Sequence, residues 1–136
     1  MDEHLEWVKD VDETQGVTLK FPIVADPELE IAKLYDMIHP DQSETAAVRS
    51  VFIIDPAKKI RLIMTYPMSV GRNFAEILRV IDSLQLADRA QIATPANWEP
   101  GDDVIIPPSV TDEEAQKRFP QGFKTIKPYL RTTTLS

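Results

Sequence analysis

The sequence has 136 residues, 15 basic and 22 acidic, with net charge −7, 43% hydrophobic content and no cysteine. That length suits one modest core, and the composition is globular, not disordered. The acidic balance argues against general nucleic-acid or anionic-membrane binding, which draw on clustered Lys and Arg. No apolar run approaches the ~20 residues of a membrane-spanning helix, and the first ten residues, MDEHLEWVKD, lack the pattern of a secretory signal. A soluble, cytoplasmic protein is the expectation. Without cysteine, disulfides, thiolate metal sites and a thiol nucleophile within these residues are excluded. With only His4 and His39 as imidazoles, no metal site or cofactor is expected.

In chain order, residues 2–12 read as a short helix, with Leu5, Val8, Trp7 and Val11 facing inward, broken by Glu13-Thr14-Gln15-Gly16. Phe21-Pro22-Ile23-Val24 reads as a short strand. Asp26-Pro27 is a helix-start signal, Asp capping free amides and Pro suiting the first turn, and the helix is expected over 27–37. His39-Pro40 ends it, and Asp41 to Thr45 reads as a loop. The run Arg49 to Asp55 is continuously apolar and β-branched, as in a strand buried on both faces. The run Ile60 to Tyr66 alternates, with Ile60, Leu62, Met64 and Tyr66 on one side. Turn chemistry at Asp55-Pro56-Ala57-Lys58-Lys59 predicts an antiparallel hairpin. Asn73, with Glu76 three residues on, predicts a capped helix over 73–86 whose stripe is Phe74, Ile77, Leu78, Ile81 and Leu84.

Prolines concentrate from Pro95 to Pro128, around one clear helix that starts at Thr111, with Glu114 at its cap partner position, and stops before Phe119-Pro120. Val104-Ile105-Ile106 and Tyr129 to Thr132 read as extended. A segment this rich in proline is expected to have few local contacts and to need the main domain or a second chain for support.

No phosphate loop, zinc spacing or nucleophile elbow is present. Asp102-Asp103 and Glu113-Glu114 read as solvated surface, and His4 as a structural or surface histidine. Two arginines are candidates for chemistry. Arg49 opens a strand at a sheet end, where ligand clefts form. Arg72 precedes a helix N-terminus that already favours an anion. Each is a permanently charged donor suited to a thiolate or a peroxide oxygen. The plainer alternative is that Arg49 pairs with a carboxylate and Arg72 is simply exposed.

The segments His4-x-x-Trp7-x-Lys9-Asp10, Phe21 to Asp26 and Val48 to Pro56 resemble the peroxiredoxin family of the AhpC/TSA superfamily. Tyr66-Pro67, Gly71 to Arg79, Ala93 to Asp102 and Lys127 to Arg131 narrow the resemblance to its one-cysteine, peroxiredoxin-6-like subfamily. It implies an α/β, partial thioredoxin-like fold, a central sheet with flanking helices, over 1–88. A small proline-rich C-terminal dimerisation region is implied over 89–136. In the family a thiolate attacks the peroxide O–O bond and becomes sulfenic acid. Arg49 sits at the position of the arginine that lowers the thiol pKa and donates to peroxide, and Arg72 matches a second arginine near the pocket. The Pro-x-x-x-Thr-x-x-Cys segment that carries the nucleophile has no counterpart here, so both arginines are supporting residues only. Some vertebrate members are credited with a phospholipase activity using an aspartate where Ala57 stands, and that activity is not expected.

The expectation is therefore the C-terminal part of a one-cysteine peroxiredoxin, inactive alone. The alternative is a non-catalytic module that dimerises or associates with a full-length peroxiredoxin. Strand and helix faces left without neighbours would expose apolar surface and favour a homodimer or higher oligomer. A hydroperoxide substrate is expected only if the cysteine-bearing segment is supplied.

Overall fold

A computed structural model of the chain describes residues 2–39, 41 and 47–135. The chain divides into two compact units, Met1–Val70 and Gly71–Ser136, each described by itself.

In the first unit, helix α1 spans Asp2–Gln15. It continues through the residues expected to break it and stops at Gly16, whose positive φ of 64° suits a residue without a side chain. The Gly16 amide donates to the Asp12 carbonyl at 2.9 Å. The inward stripe is only partly realised: Val8 and Val11 are half-buried, while Leu5 and Trp7 are exposed. Helical spacing orders those side chains on one face, but burial needs an element to cover it.

Residues 21–24 form no strand, and Phe21 and Val24 are exposed. A strand is defined by ladder partners, and among the described residues this segment has none. The Asp26 signal is realised three residues late. Asp26 and Leu29 first close a turn, the Leu29 amide donating to the Asp26 carbonyl at 3.1 Å, and helix α2 then spans Glu30–Leu34. The Asp26 carboxylate accepts from the amides of Ile31 (3.1 Å) and Ala32 (2.8 Å), so it still serves the free N–H groups of that first turn. The Ala32 bond leads the effects that hold the Asp26 carboxyl below its usual 3.8. Apart from Asp41, the loop expected over 41–45 lies outside the described residues.

Strands β1 (Arg49–Ile54) and β2 (Ile60–Tyr66) form the expected antiparallel hairpin, with Arg49 opposite Tyr66 and Val51 opposite Met64. At the turn the Lys59 amide donates to the Asp55 carboxylate at 2.9 Å, an Asp device typical of tight reversals. β1 is not buried on both faces: its interior residues are half-buried in a sheet of two strands. On β2, Leu62, Met64 and Tyr66 are half-buried and the residues between them exposed, as the alternation predicts, but Ile60 at the strand's start is exposed. The Tyr35 ring meets Phe52 edge-on at 5.0 Å, seating the end of α2 against the hairpin.

The second unit opens with helix α3, Phe74–Ala90. Asn73 caps it, accepting from the Glu76 amide at 3.2 Å. Glu76 does not close the reciprocal bond, because Arg79 takes its carboxylate in a two-pronged pair at 2.6 and 2.8 Å. The face that packs also differs from the expected stripe. Of the stripe, Ile77, Ile81 and Leu84 are half-buried but Phe74 and Leu78 are 72% and 62% exposed, whereas Val80 is buried and Leu86, Ala87 and Ala90 pack on the core.

That core belongs to the proline-rich region, which proves the best-buried part of the molecule. Ile92, Trp98, Val104, Ile106, Val110, Ala115 and Phe119 form one cluster. Strands β3 (Val104–Ile106), β4 (Lys124–Lys127) and β5 (Leu130–Thr133) make an antiparallel sheet in the order β3-β5-β4. Helix α4 (Asp112–Arg118) begins with a complete capping box between Thr111 and Glu114. Contacts distant in sequence supply what the prolines withhold locally, since turns fixed by proline have less chain entropy to lose.

Arg131 is the polar centre of this unit. Its side chain is buried, and its guanidinium donates to Asp112 Oδ1 at 2.6 Å, to the Pro107 carbonyl at 3.0 Å and to the Val110 carbonyl. β5 is thereby locked to the segment between β3 and α4. Arg131→Met is expected to destabilise the chain by about 1–3 kcal/mol, because it takes the guanidinium donor from the buried Val110 carbonyl and leaves the Pro107 carbonyl with the Val110 amide alone, measured by urea unfolding. For Asp26, whose carboxyl is held low in the fold, the contribution is complete above pH 3.8 and is lost as pH falls through the depressed value. Amide-exchange protection of Ile31 and Ala32 should decline below that pH, and Asp26→Ala should remove it at neutral pH.

Candidate functional site

The two arginines singled out in the sequence occupy different units. Arg49 is the first residue of β1, and its side chain reaches past the hairpin end, Nη1 donating to the Val70 carbonyl at 3.2 Å. Val70 closes the turn after β2, its amide donating to the Pro67 carbonyl at 2.9 Å. The guanidinium thus grips a backbone turn, and among the described residues no carboxylate pairs with it. A neutral acceptor does not cancel the positive charge of the guanidinium. At the opposite end of the hairpin, Arg61 pairs with Asp55 at 3.6 Å.

Arg72 is exposed immediately before the Asn73 cap of α3. Its charge adds to the positive end of a seventeen-residue helix. The nearest strong pair on that helix is Glu76 with Arg79. The Arg79 hydrogen bond holds the Glu76 carboxyl below its usual 4.5, and Glu76 in turn raises Arg79. Arg79 also donates to the Trp98 carbonyl at 3.2 Å, fastening α3 to the turn where Trp98 Nε1 donates to the Asp102 carbonyl.

Three arginines that sequence reading passed over are structural. Besides Arg79 and Arg131, Arg118 donates to the carbonyls of Ala90 and Gln91 at 2.8 and 2.9 Å, a cation closing the C-terminus of α3. Apart from the Glu76–Arg79 spacing no local pattern marks them, because their carbonyl acceptors lie 19 to 28 residues away. His4 is exposed on α1, and Glu113 and Asp103 are exposed as expected of solvated carboxylates, although Asp103 Oδ1 accepts from Thr134. Among the described residues no group of three or more His, Asp and Glu is placed to hold a metal ion, and no helix is long and apolar enough to cross a membrane. A cleft of about 400 Å³ lies beside α3, lined in part by Asp82, Arg89, Trp98 and Asp102. It contains neither candidate arginine.

The fold and the site define an α/β chain: a strand hairpin carrying one arginine, and a capped helix, preceded by the other, packed on a small C-terminal sheet. Residues 1–63 match the AhpC/TSA family, and residues 83–122 match the C-terminal domain of 1-Cys peroxiredoxin. The chain is 55% identical over 131 residues to a 1-Cys peroxiredoxin of Dictyostelium discoideum, covering 96% of this chain and 54% of that protein. It is 51% identical over 140 residues to the mitochondrial peroxiredoxin PRX1 of Saccharomyces cerevisiae, covering 98% and 53%. The structure of a yeast mitochondrial 1-Cys peroxiredoxin matches with a TM-score of 0.90 at 50% identity, covering 98% of this chain and 66% of that one. A cysteine-to-serine mutant of the peroxiredoxin 6 of Arenicola marina matches at 0.88 and 44%, covering 100% and 66%. The chain belongs to the AhpC/TSA peroxiredoxin family, in its one-cysteine, peroxiredoxin-6-like branch. Its architecture is the thioredoxin-like α/β fold of that family with the C-terminal domain. It spans about half the length of the curated relatives it matches first.

Arg49→Met should free the 67–70 turn while leaving the hairpin paired. The expected result is faster exchange of the Val70 amide, with the exchange of Val51 to Ile53 unchanged, read by native-state hydrogen exchange.

Proposed function

We propose that this chain supplies the supporting cations and the assembly surface of a one-cysteine peroxiredoxin, and that by itself it does not turn over peroxide. The observation that carries the reading is the pairing of family membership with a sequence that contains no cysteine. Peroxide reduction of this kind needs a thiolate: its sulfur attacks one peroxide oxygen, the O–O bond breaks, an alcohol or water leaves, and the sulfur becomes sulfenic acid. Arg49 and Arg72 are assigned the supporting roles, stabilising the thiolate and the charge that develops on the departing oxygen. Such stabilisation acts on a nucleophile and cannot replace one. The substrate, where a cysteine-bearing segment is supplied, is a hydroperoxide. Residues 1–88 are assigned to the thioredoxin-like part and 89–136 to the dimerisation region, with a cytoplasmic location that cell fractionation tests.

A second reading, a non-catalytic module that dimerises or binds a full-length peroxiredoxin, is favoured by the apolar surface. Leu34, Phe74 and Leu78 are each more than half exposed, and solvated apolar side chains of that size favour association.

The purified chain, given hydroperoxide and a thiol reductant, should consume peroxide no faster than the reductant alone. Repeated turnover per chain would overturn the catalytic part of the proposal. In light scattering the chain should be a dimer or larger, and a stable monomer at micromolar concentration would overturn the assembly part.

A further inference from the structure

All the sulfur in this sequence is thioether, four methionines and no thiol. The fold sorts the described methionines into different environments. Met68 occupies the second position of the turn Pro67–Val70, which the Val70 amide closes onto the Pro67 carbonyl at 2.9 Å. It is 41% exposed. Met64 lies on the half-buried side of β2, and its Sδ accepts from the Tyr66 hydroxyl at 3.8 Å. Met37 is half-buried behind α2, between the backbone bonds that join it to Ala32 and Val48. Met1 lies outside the described residues.

We propose that Met68 is, among the described methionines, the one at which the folded chain most readily takes up oxygen from a hydroperoxide. A lone pair of the thioether sulfur attacks the terminal peroxide oxygen and an S–O bond forms as the O–O bond breaks. The departing oxygen keeps the bonding pair, takes up the proton carried by the transferred oxygen, and leaves as the alcohol, or as water from hydrogen peroxide. Sulfur is oxidised by two electrons and the peroxide reduced by two, so no further reactant is needed. The product is methionine sulfoxide, a polar group that reductases can return to the thioether. The attack requires an approach path to sulfur and an uncommitted lone pair. Met68 has the open turn corner, whereas Met64 is partly covered and has its sulfur engaged by a hydroxyl donor. The turn is also fixed in place, because Arg49 holds the Val70 carbonyl, so the exposure of Met68 belongs to the ordered fold. The event is stoichiometric, one oxygen per chain, and independent of any thiol chemistry assigned to the chain.

The test treats the full chain with sub-stoichiometric tert-butyl hydroperoxide and follows oxygen uptake at each methionine by digestion and mass spectrometry. Met64 and Met68 share the tryptic peptide 62–72 and are separated by fragment ions. Sulfoxide at Met68 should form roughly threefold or more faster than at Met64 or Met37, as exposure dictates. In urea the rates should converge. Met68→Leu should abolish the fast phase and leave the rates of the other two unchanged. Equal or faster oxidation of Met64 or Met37 in the folded chain would overturn the proposal, and so would a Met68 preference that persists undiminished in urea.

Discussion

Covering apolar surface is the constraint on which the rest of this structure depends, and the two units meet it unequally. The unit from Gly71 closes a core around Val104 and Ile106, both fully buried, with Trp98 and Phe119 beside them. The unit ending at Val70 buries only Ala32 and Val48 among its described apolar residues, neither of them completely. Its strand pair is continuous but for one register shift at Ile53–Ile54, and its helices are capped or terminated by recognisable devices. Even so, a two-stranded ribbon has too little face to bury its own side chains. Secondary structure there is complete while packing is not, and side chains such as Leu5, Phe21 and Ile63 face solvent.

Arginine bridges where hydrophobic packing alone would leave segments loose. Arg79, Arg118 and Arg131 each bind backbone carbonyls far away in sequence, and Arg49 does the same across the hairpin end. A guanidinium suits this work because its five donors lie in one plane and its charge persists at any physiological pH. At Arg131 this bridging is buried, its terminal nitrogens reaching two carbonyls and a carboxylate. Such a network restricts the strands to one arrangement in addition to stabilising them. Arg49 is exposed, and among the described residues its guanidinium bonds the neutral Val70 carbonyl.

Family membership and the chemistry of the residues present meet at sulfur. A chain of this family without cysteine retains fixed positive charge at two places, and its remaining sulfur is of a slower, stoichiometric kind. Whatever peroxide does to these residues directly, it does at thioethers and not at a thiolate, and the product is a sulfoxide in place of a sulfenic acid.

Local signals were legible wherever neighbouring residues satisfy one another. The Asp55–Lys59 turn, the alternation along β2, the Asn73 cap and the Thr111–Glu114 box follow from interactions spanning only a few residues. Arg49 and Arg72 were likewise visible as cations at element ends. What the sequence could not reveal was the partner of each face. The stripe through Phe74 and Leu78 has helical spacing, yet the helix buries Val80 and its last turns instead. Phe21 to Val24 has strand composition, yet no ladder. The prolines after Pro95 suggested loose chain where the tightest core lies. The amino-acid order by itself determined where elements start, turn and stop, because those choices are settled by bonds within a turn or two. Only the tertiary structure decided which faces are covered and which carbonyl each arginine holds, because burial and long-range bonds depend on residues the local chain cannot specify.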